Sequence, residues 1–325
     1  MSLPQVSLGQ QGLHVSAQGL GCMGMTTLAG MDIYGKPDEA EGIATIHRAH
    51  ELGVTLLDTA DLYGPLLNER LLAKALAGRR DQYTIATKFG YEIDANDQLT
   101  WQINGRPEYV RLAVERSLRN LKTDYIDLYY LHRPDPATPI EDTVGAMSRL
   151  VEEGKVGYLG LSEVSADVLR RGHAVHPLTA LQTEYSLFDR GVKEDGVLAA
   201  CRELGIGFVA YSPLGRGFLS GEIKKFEDFA PTDARRNLPR YQVENFDKNL
   251  ALVHHLEELA ARKQVSASQL AIAWVMAQGV VPIPGTKRRK YLEQNVAAAS
   301  VVLSPEELAH LDAILPIGSV TGAAY

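Results

Sequence analysis

Eight short apolar runs recur along the chain, separated by segments whose apolar residues return every three or four positions. The runs are QGLG near 18–21, VTLLD from Val54, YTIATK from Tyr83, YIDLYYLH from Tyr125, VGYLGLS from Val156, LTALQTEYS from Leu178, IGFVAYS from Ile206 and VVPIPG from Val280. Each reads as a short strand buried on both sides, as in a parallel sheet covered by helices. The segments between them predict helices over Glu39–Leu52, Glu69–Ala77, Pro107–Leu121, Ile140–Glu153, Ala166–Ala174, Val192–Leu204, Asn249–Ala261 and Ala267–Gln278. Glycine stands where several helices should stop, in HELG, VEEG and CRELG, because it enters the left-handed cap conformation without strain. Near the C-terminus Ser304, Pro305 and Glu307 fall at the cap, first and third positions of one more helix.

Alternation of strand and helix through eight units predicts an α/β fold, a closed (β/α)8 TIM barrel, in preference to an open doubly wound sheet, which has fewer strands. A hairpin turning at Leu8–Gly12 precedes the first unit, and the helix after Ser304 is an addition to the repeat. No Pro/Ser-rich linker interrupts the chain, so residues 1–325 are expected to form a single barrel domain. Two long connections, 93–106 with Trp101 and 215–246, are candidate substrate-covering loops.

Composition narrows the class. With 45% apolar and 22% charged residues among 325, the chain has ample core and the profile of an ordinary globular protein. A formal charge of −7 argues against nucleic acid or an anionic membrane surface as the main partner. No apolar stretch reaches the ~20 residues that span a bilayer, and MSLPQVSLGQQG lacks a basic-then-apolar signal, which predicts a cytoplasmic protein. The two cysteines, Cys22 and Cys201, are too few and too far apart to suggest a disulfide framework or a zinc site.

Four residues lie at or just past the ends of these runs: Asp58 and Tyr63 in LLDTADLYG, Lys88 in TIATKFG and His132 in DLYYLHRPD. In a barrel those ends share one mouth, where active sites lie, so residues far apart in sequence converge. Together they read as a proton-transfer site. A phenol with a pKa of about 10 donates a proton to a carbonyl oxygen only when a nearby cation makes it more acidic. Lys88 can supply the cation, Asp58 can keep a buried ammonium charged, and His132 can donate a hydrogen bond to the substrate oxygen. The set suggests carbonyl reduction. Taken singly, each residue has a plainer reading: Asp58 as a turn cap, Tyr63 as one of 14 tyrosines that pack or sit at the surface, Lys88 as a solvated cation, His132 as a satisfied core residue.

The stretch GVTLLDTADLYG, the segment VERSLRNLKTDYIDLYYLHRPD and the intact set Asp58, Tyr63, Lys88 and His132 resemble the hallmark motifs of the aldo-keto reductase superfamily. GLGCMGM, YSPLGRGFLSG and IPGTKRRKYLEQN are similar to its long-chain branch of bacteria, fungi and plants. The resemblance implies NADPH-dependent reduction of aldehydes and ketones, with Tyr63 as general acid in reduction and base in alcohol oxidation, and no metal. It also implies a cofactor site. Gly21, Cys22, Met23 and Gly24 match the floor under the nicotinamide, Asp58 adjoins it, and Ser162 and Gln182 match the groups that hold its carboxamide. Tyr211 matches the residue stacked on the ring, Ser212, Pro213, Leu214 and Arg216 the pyrophosphate loop, and Gly285, Thr286, Lys287, Gln294 and Asn295 the adenosine end. Glu163 and Gln294 depart from the common pattern, which has Asn and Glu at those positions.

The run Lys287–Lys290 is the densest positive cluster in an acidic chain and follows the eighth strand, where barrels often bind phosphate. A 2′-phosphate would suit it, which favours NADPH over NADH. Trp101, with Tyr63 and His132, is expected to meet substrate. Two other functions are weighed: a cofactor-sensing, β-subunit-like binding protein with little turnover, against which the complete set of four argues, and a barrel aldolase or isomerase using Lys88 as a Schiff base, which is disfavoured because Asp58 and Tyr63 would stabilise the charged lysine. Histidine pairs at 47/50 and 254/255 lack the carboxylate companions of a metal site.

Overall fold

The structure, a computed structural model, describes residues 3–28, 30–32 and 34–323. Strands β1 (Gln5–Ser7) and β2 (His14–Ser16) pair antiparallel with Val6 opposite Val15. The turn between them carries Leu8 and Leu13 into the lower end of the barrel, against Leu56, Ala86, Leu128, Val209 and Val281. Gly9 makes this possible. At φ 73° its missing Cβ would stand 2.6 Å from the Thr179 carbonyl oxygen, so no side chain fits there.

The chain then runs through β3 (Leu20–Gly21), α1 (Glu39–Glu51), β4 (Leu56–Asp58), α2 (Leu67–Ala75), β5 (Thr84–Phe89), β6 (Tyr91–Ile93), β7 (Leu99–Ile103), α3 (Pro107–Leu121), β8 (Ile126–Leu131) and α4 (Ile140–Glu152). It continues with β9 (Val156–Ser162), α5 (Ala166–Val175), β10 (Ala180–Glu184), α6 (Val197–Leu204), β11 (Gly207–Tyr211), α7 (Val243–Arg262), α8 (Ala267–Ala277), β12 (Val281–Pro282), α9 (Arg289–Ala297) and α10 (Pro305–Ile314). Eight strands form one parallel sheet in the order β3, β4, β5, β8, β9, β10, β11, β12. The ends of that sheet meet. Gly19 N donates to Pro282 O at 2.9 Å and Gly21 N to Pro284 O at 3.3 Å, which closes the cylinder. A Cβ on Gly21 would lie 2.9 Å from Ile283 O, so the seam needs glycine.

The eight strands appear in the expected order, and the second, larger core lies between them and the helices, as a TIM barrel requires. The helix stops are also as expected: Gly53, Gly154 and Gly205 have φ of 89°, 72° and 67°, and Ser304 with Glu307 forms the capping box. Three local expectations differ. The helix expected from Val192 starts at Val197, because Gly196 at φ 83° cannot continue a helix. The one expected from Asn249 starts at Val243, where the first turn buries only Phe246 and the apolar period is faint. The stretch 93–106 is not irregular: β6 and β7 form an antiparallel hairpin whose register slips between Tyr91 and Ile93. That slip hides the alternation. The connection 215–246 is a chain of 3-10 turns leading into α7. Among the described residues no helix is long and apolar enough to cross a membrane, and Cys22 and Cys201 are buried and unpaired.

Candidate active site

Parallel register carries Asp58, Lys88 and His132 to the same end of the barrel. Asp58 closes β4 beside Gly21 of β3 and Ala86 of β5, and Lys88 lies beside Tyr130 of β8. His132 follows β8, its amide donating to Phe89 O at 2.7 Å. Tyr63 comes from the turn after β4, which Tyr63 N pins to Ala60 O and Asn68 N to Tyr63 O.

The side chains meet. Lys88 Nζ donates to Asp58 Oδ1 at 2.5 Å, to Thr59 O at 2.9 Å and to Tyr63 Oη at 3.3 Å. Lys88 has no exposed surface, Asp58 is 3% exposed and Tyr63 8%. The second Asp58 oxygen accepts from Gln182 Nε2 at 2.7 Å. The His132 ring stands edge-on to Tyr63, with centroids 6.0 Å apart. Burial by itself disfavours the Lys88 ammonium, but the Asp58 carboxylate and then Tyr63 outweigh it and hold its pKa above the ordinary lysine value. His132 goes the other way. Burial first, then Lys88 and Arg133, push its pKa well below the usual imidazole range, so it is neutral at physiological pH.

Asp58, Tyr63, His132 and Gln182 open onto a cavity of about 720 Å³, which Lys88 does not line. Tyr63, His132 and Trp101 line it. Gly21, Met23, Gly24 and Asp58 are in its wall, as are Ser162, Gln182 and Tyr211 from the ends of β9, β10 and β11. Ser212, Pro213, Leu214 and Arg216 line it from the next loop, and Gly285, Thr286, Lys287, Gln294 and Asn295 from the β12–α9 connection. Cys22 does not line it. Its amide donates to Asp58 O at 2.9 Å and its thiol points to Leu20 O at 3.5 Å, so it supports the wall from behind.

The basic run is only partly turned inward. Lys287 and Arg288 line the cavity, whereas Arg289 pairs with Glu41 at 2.9 Å and Lys290 lies over the Tyr291 ring at 5.5 Å. Lys287 Nζ donates to Gly35 O and, at 3.0 Å, to Lys36 O, bridging the β12–α9 connection to the segment before α1. Glu163 lies outside the cavity lining. It adopts φ 54°, accepts from Glu184 N at 3.0 Å and pairs with Arg133 at 3.5 Å. His47 and His50 are used structurally, one at 2.8 Å from Ala75 O and the other against the Tyr83 ring.

Several cavity residues escape sequence reasoning. Tyr91 stands edge-on between His132 and Trp101, with centroids 5.4 and 6.2 Å away. Arg235 donates to Arg216 O at 2.9 Å and covers the Tyr34 ring at 4.8 Å. Nothing in their spacing signals a site, because loops and a shifted hairpin deliver them.

A model of the aldo/keto reductase family matches residues 19–316. Among solved structures, the glycerol dehydrogenase AKR11B4 from Gluconobacter oxydans is 30% identical, with a TM-score of 0.87 over 97% of this chain and 96% of its own. The holo form of the aldo-keto reductase AKR11C1 from Bacillus halodurans is 28% identical, with a TM-score of 0.77 over 99% and 98%. The thermostable aldo-keto reductase Tm1743, solved with the inhibitor epalrestat, is 28% identical, with a TM-score of 0.74 over 96% and 100%.

Proposed function

Because the chain belongs to the aldo/keto reductase family and is thereby a carbonyl oxidoreductase, we propose that it reduces aldehydes and ketones with NADPH, Tyr63 supplying the proton. The observation that carries this is the buried Lys88 ammonium set between the Asp58 carboxylate and the Tyr63 phenol, 2.5 and 3.3 Å away, both of which line the cavity.

An ammonium that donates to the phenol oxygen stabilises the phenolate, so Tyr63 becomes a better acid toward a carbonyl oxygen as that oxygen gains charge. Asp58 keeps Lys88 protonated without water. His132, neutral, donates an N–H to the same oxygen and orients it without competing for the proton. In alcohol oxidation Tyr63 takes the proton back.

The cavity fits a nicotinamide dinucleotide by its donor set. At the strand ends Ser162 and Gln182 offer groups for a carboxamide, Tyr211 an aromatic face for a ring, and Arg216, Lys287 and Arg288 cations for phosphates. Bound there, the cofactor would supply the hydride. The two cavity-facing cations after β12 favour the 2′-phosphorylated form. We further take 1–325 as one barrel domain with 93–106 and 215–246 covering substrate, in a cytoplasmic enzyme.

The test is direct. The purified protein should oxidise NADPH with a reactive aromatic aldehyde, and Tyr63→Phe should lower kcat by about 10²–10⁴, the usual worth of a positioned acid. NADPH affinity, measured by fluorescence titration, should be unchanged. Equal turnover by the variant would reject Tyr63 as the acid.

A further inference from the structure

Behind the Tyr63 turn lies a buried polar cluster that the proposed chemistry does not use. Asp61 and Glu69 have no exposed surface and Arg116 is 6% exposed. Arg116 Nη2 lies 3.4 Å from Asp61 Oδ2, which belongs to the turn that carries Tyr63. The rest of the guanidinium reaches the other way. Its Nη1 donates to Ile93 O at 2.9 Å, and its Nη2 donates to Tyr109 Oη at 3.0 Å. The Tyr109 hydroxyl accepts from Ile93 N and donates to Tyr91 O, both at 2.9 Å. Its one donor and two acceptor positions are thus all used. Both residues lie on α3, and together they hold the main chain of β6.

That strand aims the aromatic wall. Between the pairs Tyr91–Ile103 and Ile93–Leu99, β6 has one residue and β7 has three, so β7 bulges. Trp101 sits in the bulge at φ 64°, a conformation that a large side chain keeps only when its surroundings impose it. From there its ring meets Tyr91 edge-on, and Tyr91 in turn meets His132. Leu28, Leu62 and Leu238 add apolar lining to the same cavity.

We propose that Arg116 and Tyr109 are positioning residues, which fix the Tyr91–Trp101 wall against the Tyr63 turn and thereby favour large, flat, apolar carbonyl substrates over small aliphatic ones. The inference rests on the reductase reading for its substrate half. Anchoring is independent of it.

Removing Arg116 would leave two buried carboxyls without a cation, so the test uses Tyr109→Phe, which deletes only the hydroxyl. Hydrogen exchange of the whole protein should show the amides of 91–103 exchanging about tenfold faster in the variant, the effect of losing bonds at one strand edge, with β8 unchanged. In steady-state assays, KM for an aromatic aldehyde such as 4-nitrobenzaldehyde should rise about tenfold relative to that for propanal, with kcat and NADPH affinity held. Trp101→Ala should produce the same shift, and the double variant little more than either. Unchanged hairpin exchange overturns the anchoring. Equal rises for both aldehydes, or additive effects in the double variant, overturn the specificity. Wild-type protein that reduces neither aldehyde overturns the reductase reading and the substrate half with it, while hairpin exchange decides the anchoring on its own.

Discussion

At the scale of single residues, Lys88 ties the candidate site together, because it is wholly buried and touches a carboxylate, a carbonyl and a phenol at once. A buried charge is tolerated only with such partners. Asp58→Asn would therefore leave the ammonium with the burial cost and without its main compensation. The variant should lose about 3–5 kcal/mol of stability, as other broken buried pairs do, and this is measurable by urea denaturation. Lys88→Met should lose less, since the Asp58 carboxylate keeps its bond from Gln182 Nε2. If Asp58→Asn proved no worse than Lys88→Met, the ammonium would not be the costly member of the pair. Asp58, Lys88 and His132 were legible in the sequence because strands that end predictably place their last side chains predictably, and Tyr63 because it follows Asp58 within one short turn. Tyr91, Arg116 and Arg235 were not, because they act through main-chain carbonyls or loop contacts that no residue spacing encodes.

At the scale of elements, the helix stops are legible in the sequence because their signal is conformational: Gly53, Gly154 and Gly205 all adopt positive φ. Gly154 and Gly205 both end helices at positive φ, yet their surroundings differ. A Cβ at Gly154 meets nothing within 4 Å, whereas one at Gly205 would stand 2.4 Å from the Gln10 side chain on the N-terminal hairpin turn. Gly154→Ala should cost about 1 kcal/mol, the backbone strain alone. Gly205→Ala should cost more and also displace Gln10, whose amide donates to Gly205 O at 2.9 Å. Thermal unfolding of the two variants checks the ranking, and equal costs would show that Gln10 moves aside freely. Where an element gives little signal, the pattern itself is weak. The helix Arg289–Ala297 buries only Leu292, Asn295 and Val296 after a basic start, which leaves it a faint apolar period, and the hairpin loses its alternation at the bulge.

At the scale of the whole molecule, buried titratable groups near the Tyr63 turn give stability a pH dependence with a readable sign. Burial first, and then Glu69, push the Asp61 carboxyl up to about 8, and burial raises Glu69 as well, since one guanidinium cannot hold two carboxylates in a dry pocket. A carboxyl whose pKa is higher folded than unfolded binds more protons in the native state, so its contribution is present below about pH 4 and is lost as pH rises through about 8. His132, held low, has the opposite sign and gains stability as pH rises through about 6.5. Surface carboxylates such as Glu153, drawn down to about 2 by bonds from Arg111 and Lys155, change only in acid. Between about pH 6.5 and 8 the Asp61 contribution therefore descends, with a slope of at most about 1.4 kcal/mol per pH unit for each proton. Asp61→Asn keeps the shape of a protonated carboxyl and cannot ionise. Urea midpoints of the wild-type protein should fall across that window and those of the variant should fall less steeply, with the two proteins most alike at its lower end. Parallel lines would mean that Asp61 is already ionised at neutral pH and that Arg116 fully compensates it.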